Sequence, residues 1–114
     1  MKERRKANRF SLNYYMSAIN AETNQKVGNV VDISTQGIML VSETPIPVGE
    51  IIIIRLPLDQ TIFEKPALEF KVMSIWCHPD VEPTSYSIGF ELMDMASEDV
   101  ETISHIAVRF GVQC

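Results

Sequence analysis

At 114 residues the chain is the length of one domain, able to bury a core without disulfides or a structural metal. Its 46% apolar and 22% charged composition excludes a disordered or fibrous polypeptide. The formal charge of −5 argues against general nucleic-acid binding, yet residues 1–9 carry five basic side chains against one acid, so +4 sits there and −9 on the rest.

In chain order, residues 1–9 (Lys2, Arg4, Arg5, Lys6 and Arg9, with Glu3 the one acid) show no strand or helix period. Phe10 and Leu12 are the first apolar pair and are expected to tether a basic arm, residues 1–12, to a body spanning 13–114. Tyr14 to Ala21 alternates as a strand, Thr23-Asn24-Gln25 suits a hairpin turn, and Val27 to Ile33 reads as the return strand, with Gly28 as a bulge candidate. Ile38 to Val41 is a short buried strand, and Pro45, Pro47 and Gly49 enclose a loop. Glu50 to Leu58 holds four consecutive isoleucines, the strongest β-branched run in the chain, with Pro57 ending it or placing it on an edge. From Pro66 the residues Leu68, Phe70, Val72, Ser74 and Trp76 alternate with Glu69, Lys71, Met73 and Ile75, which puts Trp76 on the core face. Asp80 to Ser85 is a loop, and Tyr86, Ile88 and Phe90 alternate with Ser87, Gly89 and Glu91 in a last strand.

One helix is expected near the C-terminus. Ser97 can cap it, and Glu98, Asp99 and Glu101 place acid where the helix dipole favours it. Val100, Ile103, Ala107 and Phe110 form an apolar face, and Gly111 is the expected stop. Six strands with short turns and one terminal helix predict an all-β fold, an antiparallel sheet closed into a small barrel with the helix packed outside.

Several functions lack the residues they need. Ile51–Ile54 is cut by Arg55, so no run approaches the roughly 20 apolar residues of a membrane helix, and the N-terminus lacks the apolar core of a secretory signal. Cys77 and Cys114 are not forced to pair, and a reducing cytoplasm is expected. Cys77 and His78 are adjacent and would leave a strand on opposite faces, which suits no shared metal. His105 falls off the main helical stripe, Ser34 and Asp32 lack a neighbouring histidine, and no phosphate-binding glycine loop occurs. No enzyme activity, cofactor or metal is expected.

Binding is better supplied. The segment Asp32-Ile33-Ser34-Thr35-Gln36-Gly37 sets a carboxylate, a hydroxyl and a glycine between two apolar strands. A carboxylate can accept both donors of a guanine Watson–Crick edge. Ser34 can donate to a phosphate or ring nitrogen, and Gly37 permits positive φ and close backbone approach. Arg5 and Arg9 each offer a planar donor fork for phosphate or for the other guanine edge. Taken alone, the segment can equally be a turn that bonds its own backbone.

Arg5-Lys6-Ala7-Asn8-Arg9 followed by Asp32-Ile33-Ser34-Thr35-Gln36-Gly37 resembles the signature of the PilZ domain, Arg-x-x-x-Arg then Asp/Asn-x-Ser-x-x-Gly. Tyr86-Ser87-Ile88-Gly89-Phe90 is similar to that family's glycine–aromatic last strand, and Trp76 to a tryptophan often found near the end of the preceding one. The resemblance implies a six-stranded antiparallel barrel with an outer helix and a bacterial receptor for cyclic di-GMP, whose flexible arginine arm wraps the nucleotide. Arg5 and Arg9 would grip guanine and phosphate, Asp32 and Ser34 would read a guanine edge, Gly37 would allow close approach, and Trp76 would add a stacking contact. Arg4, a basic residue just before the motif, would accompany two intercalated cyclic di-GMP molecules in place of one. The implied partners are proteins controlling motility, pili, exopolysaccharide and biofilm, with no nucleic acid and no membrane insertion. The alternatives are a PilZ-like protein adaptor without nucleotide binding and a single-strand nucleic-acid barrel, which the acidic body disfavours.

Overall fold

The computed structural model describes residues 10–12, 16–80 and 84–113. Arg4, Arg5, Arg9, Tyr14, Tyr15, Pro83 and Cys114 lie outside them. The expected strands are present as β2 (Ser17–Asn20), β3 (Lys26–Ile33), β4 (Gly37–Ser42), β5 (Ile51–Pro57), β6 (Ala67–Pro79) and β7 (Tyr86–Met93). Hydrogen bonding runs β2–β5–β6–β7–β4–β3 and returns from β3 to β2, so the six antiparallel strands close into a barrel. Closure removes the exposed edges that an open sheet of this composition would present.

Two three-residue strands join the six. Residues Phe10–Leu12, placed by the sequence at the end of the basic arm, form β1, which pairs with Ile33 and Asp32 at the end of β3. After the helix α1 (Ser97–Phe110), residues Gly111–Gln113 form β8 and pair with β1. The helix stops before Gly111, as its lack of a side chain suggests. At the other end Ala96, not Ser97, supplies the first accepting carbonyl, taking the N–H of Val100 at 3.0 Å. Ile103, Ile106 and Ala107 are buried beneath the helix. Lys65, in the β5–β6 loop, donates to Asp99 at 2.9 Å and to Glu98 at 3.3 Å, which holds the first turn to the barrel and raises the lysine pKa.

The isoleucine run shows how alternation sorts side chains: Ile52 and Ile54 are buried, Ile53 is half-buried and Ile51 is exposed. With Leu40, Leu56, Leu68, Val72, Ile88 and Phe90 they fill the barrel interior. Two strands break their alternation. In β3, Val30 pairs with Leu40 but the next pair is Asp32 with Met39, so Val31 is an extra residue. In β6, Ser74 pairs with Phe90 and the next pair is Trp76 with Gly89, leaving Ile75 extra. Each bulge shifts the residues after it by one step. Residues paired across a ladder share a face, so Asp32 joins Met39 on the outer wall while Ile33 joins Ile38 inside. Trp76 likewise joins Gly89 outside while Cys77 turns inward beside Ile88. This corrects the core-face assignment of Trp76, which rested on unbroken alternation with Ser74.

The β3–β4 contact is close enough to exclude a side chain at one point. A Cβ on Gly28 would stand 2.5 Å from the carbonyl oxygen of Val41. Gly28→Ala is therefore expected to lower stability by about 1–3 kcal/mol, the usual cost of overpacking. Urea unfolding monitored by circular dichroism measures this, and an unshifted midpoint would contradict the tight backbone approach.

Candidate functional site

Asp32, Ser34 and Gly37, together with the sequence-distant Trp76, line one cavity of about 320 Å³ on the outer wall of β3, β4, β6 and β7. Arg4, Arg5 and Arg9, the other expected contributors, lie outside the described residues. Gln36, Ile38, Met39, Ile75, Gly89, Phe90 and Glu91 complete the lining.

The turn at the cavity rim is organised by Ser34. Its Oγ accepts the N–H of Gln36 at 3.1 Å and that of Gly37 at 3.2 Å, and it lies 3.4 Å from the Gly37 carbonyl. The Ser34 N–H donates to the same carbonyl at 2.9 Å, and the Leu92 N–H donates to Gln36 O at 2.9 Å, pinning the turn to β7. The hydroxyl oxygen is thus engaged in the turn. Its single proton faces only the weak 3.4 Å acceptor and is the part of Ser34 that a ligand could recruit.

Gly37 has a different role from the one its sequence context suggests. Among the described residues the glycine with positive φ is Gly49, at +92°, so Gly37 does not serve a left-handed turn. It opens β4 opposite Glu91, and a Cβ there would lie 2.6 Å from the Phe90 carbonyl oxygen. What requires glycine is the backbone approach of β4 to β7.

Asp32 is fixed as firmly. Its backbone pairs with Ser11 of β1 on one side and Met39 of β4 on the other, and the residue is only 6% exposed. The register places it on the outer wall, where it lines the cavity. Glu91, also in the lining, is exposed. Among the described residues, the charged side chains of the cavity are these two carboxylates.

Trp76 lines the same cavity from β6. Its indole lies against Gly89, where even one added carbon would overlap the ring. His78, two residues on and past the same bulge, stacks with it at 5.2 Å between ring centroids and 27° between planes. The indole is half-buried, an aromatic surface left partly open. Sequence reading singled out Trp76 but not its partners. Gly89 was recognisable as a glycine inside a strand, a mark of close approach, and Glu91 shares its outward phase. The contribution of Ile75 depends on a bulge that no local pattern announces.

The other histidine, His105, is exposed on α1 with its ring 5.0 Å from that of Phe63. Among the described residues no three His, Cys, Asp or Glu side chains group as a metal site, and no helix is long and apolar enough to cross a membrane.

The fold is a closed six-stranded antiparallel barrel with a C-terminal helix, and a polar turn and an outward tryptophan share one cavity on its outer wall. The chain matches the PilZ domain over residues 3–109 and belongs to that family. No curated protein matches it in sequence. Among solved structures, it is similar to the Bacillus subtilis inhibitor of motility MotI/DgrA, with 16% identity and a TM-score of 0.75, over 95% of this chain and 51% of that one. It is also similar to the PilZ domain of Escherichia coli YcgR with c-di-GMP, with 16% identity and a TM-score of 0.71, over 95% and 92% of the two chains. YcgR solved in complex with c-di-GMP gives 15% identity and a TM-score of 0.69, over 91% of this chain and 44% of that one. The chain thus spans about half the length of MotI and of the longer YcgR structure.

The contact between Trp76 and Gly89 can be tested directly, because Trp76 is the single tryptophan. Gly89→Ala should displace the indole and change its fluorescence maximum and acrylamide quenching, with little loss of stability because a side chain rather than backbone must yield. An unchanged emission spectrum would show that the ring does not rest on Gly89.

Proposed function

We propose that this PilZ domain is a cytoplasmic, non-enzymatic receptor for cyclic di-GMP that signals to a partner protein. The observation that carries the reading is the meeting of Asp32, the Ser34 turn and Trp76 at one cavity. Two of its walls suit a purine: a fixed carboxylate for a donor edge and an aromatic face for stacking. A guanine presents adjacent imino and amino donors, which the Asp32 carboxylate can accept together. The c-di-GMP held by the YcgR PilZ domain, a relative in fold, supports the same ligand class here.

The charge of the cavity constrains how the nucleotide would lie. Asp32 and Glu91 repel phosphate, so the base turns inward and the phosphates turn away. Cavities for small molecules run from about 300 to 1,000 Å³; at about 320 Å³ this one lies at the lower end, and a base is the part of the nucleotide placed in it. The remainder falls to residues 1–9, where +4 of charge is concentrated. Arg5 and Arg9 supply bidentate forks for phosphate and for the second guanine edge, and Gly37 brings the β4 backbone near the ligand. Holding the arm in one arrangement costs about 1–2 kcal/mol per residue, which several charge-assisted bonds must exceed. The arm is then a natural switch, set by the ligand and read by the partner. Arg4 adds a cation beside the motif and fits the binding of two stacked cyclic di-GMP molecules.

A second reading is favoured by the Ser34 hydrogen bonds, which satisfy the turn without a ligand: a PilZ-fold adaptor that binds protein alone. Calorimetric titration with cyclic di-GMP separates the two. Wild-type protein is expected to bind, and Arg5→Ala, Arg9→Ala and Asp32→Ala each to lose about 1.5–3 kcal/mol, roughly ten- to hundredfold in affinity. Losses at the arginines should shrink with added salt. Arg4→Ala should reduce two nucleotides per chain to one. Unchanged affinities would remove these residues from the site, and no wild-type binding would leave the adaptor.

A further inference from the structure

Beside the cavity lies an apolar surface that the nucleotide reading does not use. Val48 is 65% exposed, Ile51 53% and Ile75 46%, high values for large aliphatic side chains. They are neighbours through the ladder. Gly49 N–H donates to Ser74 O at 2.8 Å, Ser74 N–H donates to Glu50 O at 2.9 Å, and Ile51 pairs with Met73. Val48 and Ile51 therefore flank the backbone that meets Ser74, directly before the bulged Ile75. Half-buried Met73 connects them on the outer wall.

This surface is rigid. Ser74, buried in the barrel, donates its hydroxyl proton to the Pro47 carbonyl at 2.6 Å and accepts the Glu50 N–H at 3.0 Å. The loop carrying Val48 is clamped to the strand carrying Ile75. Preorganisation of this kind lowers the ordering cost of association, and nothing in the barrel's own packing calls for three exposed aliphatics at one place. Exposed Glu50 and Glu91 border it, with Lys71 the nearby cation, and the body beyond the first nine residues sums to −9. A second copy of the chain would bring like charges together across a symmetric contact, which complementary interfaces avoid.

We propose that Val48, Ile51, Met73 and Ile75 form a docking surface for a partner protein segment that presents aliphatic side chains flanked by lysine or arginine. The assignment stands whether or not the cavity takes a nucleotide. Ile75 belongs to both, however, so a ligand against Trp76 would border the docked partner.

Selection of a random twelve-residue peptide library on the full chain, without nucleotide, tests this. The enriched peptides should combine aliphatic residues with lysine or arginine and shift the amide resonances of residues 48–51 and 73–75. Ile51→Ser and Val48→Ser should each weaken those peptides by roughly tenfold or more, while Val108→Ser, on an exposed helical position, should leave them unchanged. Thermal unfolding confirms that each variant is folded. The proposal is overturned by acidic peptides, by no enrichment, by equal binding to the Ile51 and Val48 variants, or by resonance shifts confined elsewhere. It is overturned equally if sedimentation shows a dimer that Ile51→Ser dissolves, which would make a second copy the occupant.

Discussion

Of the extra residues in the sheet, Val31 in β3 and Ile75 in β6 decide which side chains reach the cavity. A closed barrel of regular strands sends every second side chain inward, and on that phase Asp32 would follow Val30 into the core and Trp76 would follow Ser74. A carboxylate in an apolar interior is among the most costly arrangements a small domain can hold. The bulges resolve this by changing phase after Val30 and after Ser74. Ile33 and Cys77 then turn toward the interior, while Asp32 and Trp76 come to the outer wall, where both line the cavity. The same irregularity that protects the core makes the site.

Glycine serves the arrangement in an unexpected way. Gly28, Gly37 and Gly89 are all places where something approaches the backbone too closely for a Cβ: the Val41 carbonyl, the Phe90 carbonyl and the Trp76 indole. None needs left-handed backbone, since positive φ among the described glycines belongs to Gly49 in the β4–β5 loop. Strand glycines here are steric allowances. Gly37 draws β4 to β7 beside Asp32, and Gly89 leaves the floor on which the indole lies, so the cavity owes its shape to side chains that are missing.

Much of this was legible from sequence because it follows from period and punctuation. Ile51–Ile54, Leu68–Val72 and Tyr86–Phe90 alternate as half-buried strands, and Ser97–Phe110 carries acid at its start with glycine after its end. Those patterns, taken with the arginine and Asp-x-Ser-x-x-Gly motifs, identified the family and the barrel. The failures share one cause. Trp76 was placed inside because alternation was carried through Ile75, and a bulge is set by pairing with a distant strand rather than by neighbours in sequence. Phe10–Leu12 was too short to read as a strand and is one because the end of β3 offers it a partner.

The bulge at Ile75 carries a further consequence, because it links two surfaces of different chemistry. Toward β7 it sets Trp76 against Gly89 and opens the cavity. Toward β5, through Ser74 and its bonds to Pro47 and Glu50, it holds the exposed aliphatics Val48 and Ile51 in place. The indole therefore rests on a strand segment whose other neighbour carries the exposed aliphatics. A barrel this small has few independent parts. Its cavity wall and its exposed aliphatic wall are two sides of one irregular ladder, and Ile75 belongs to both.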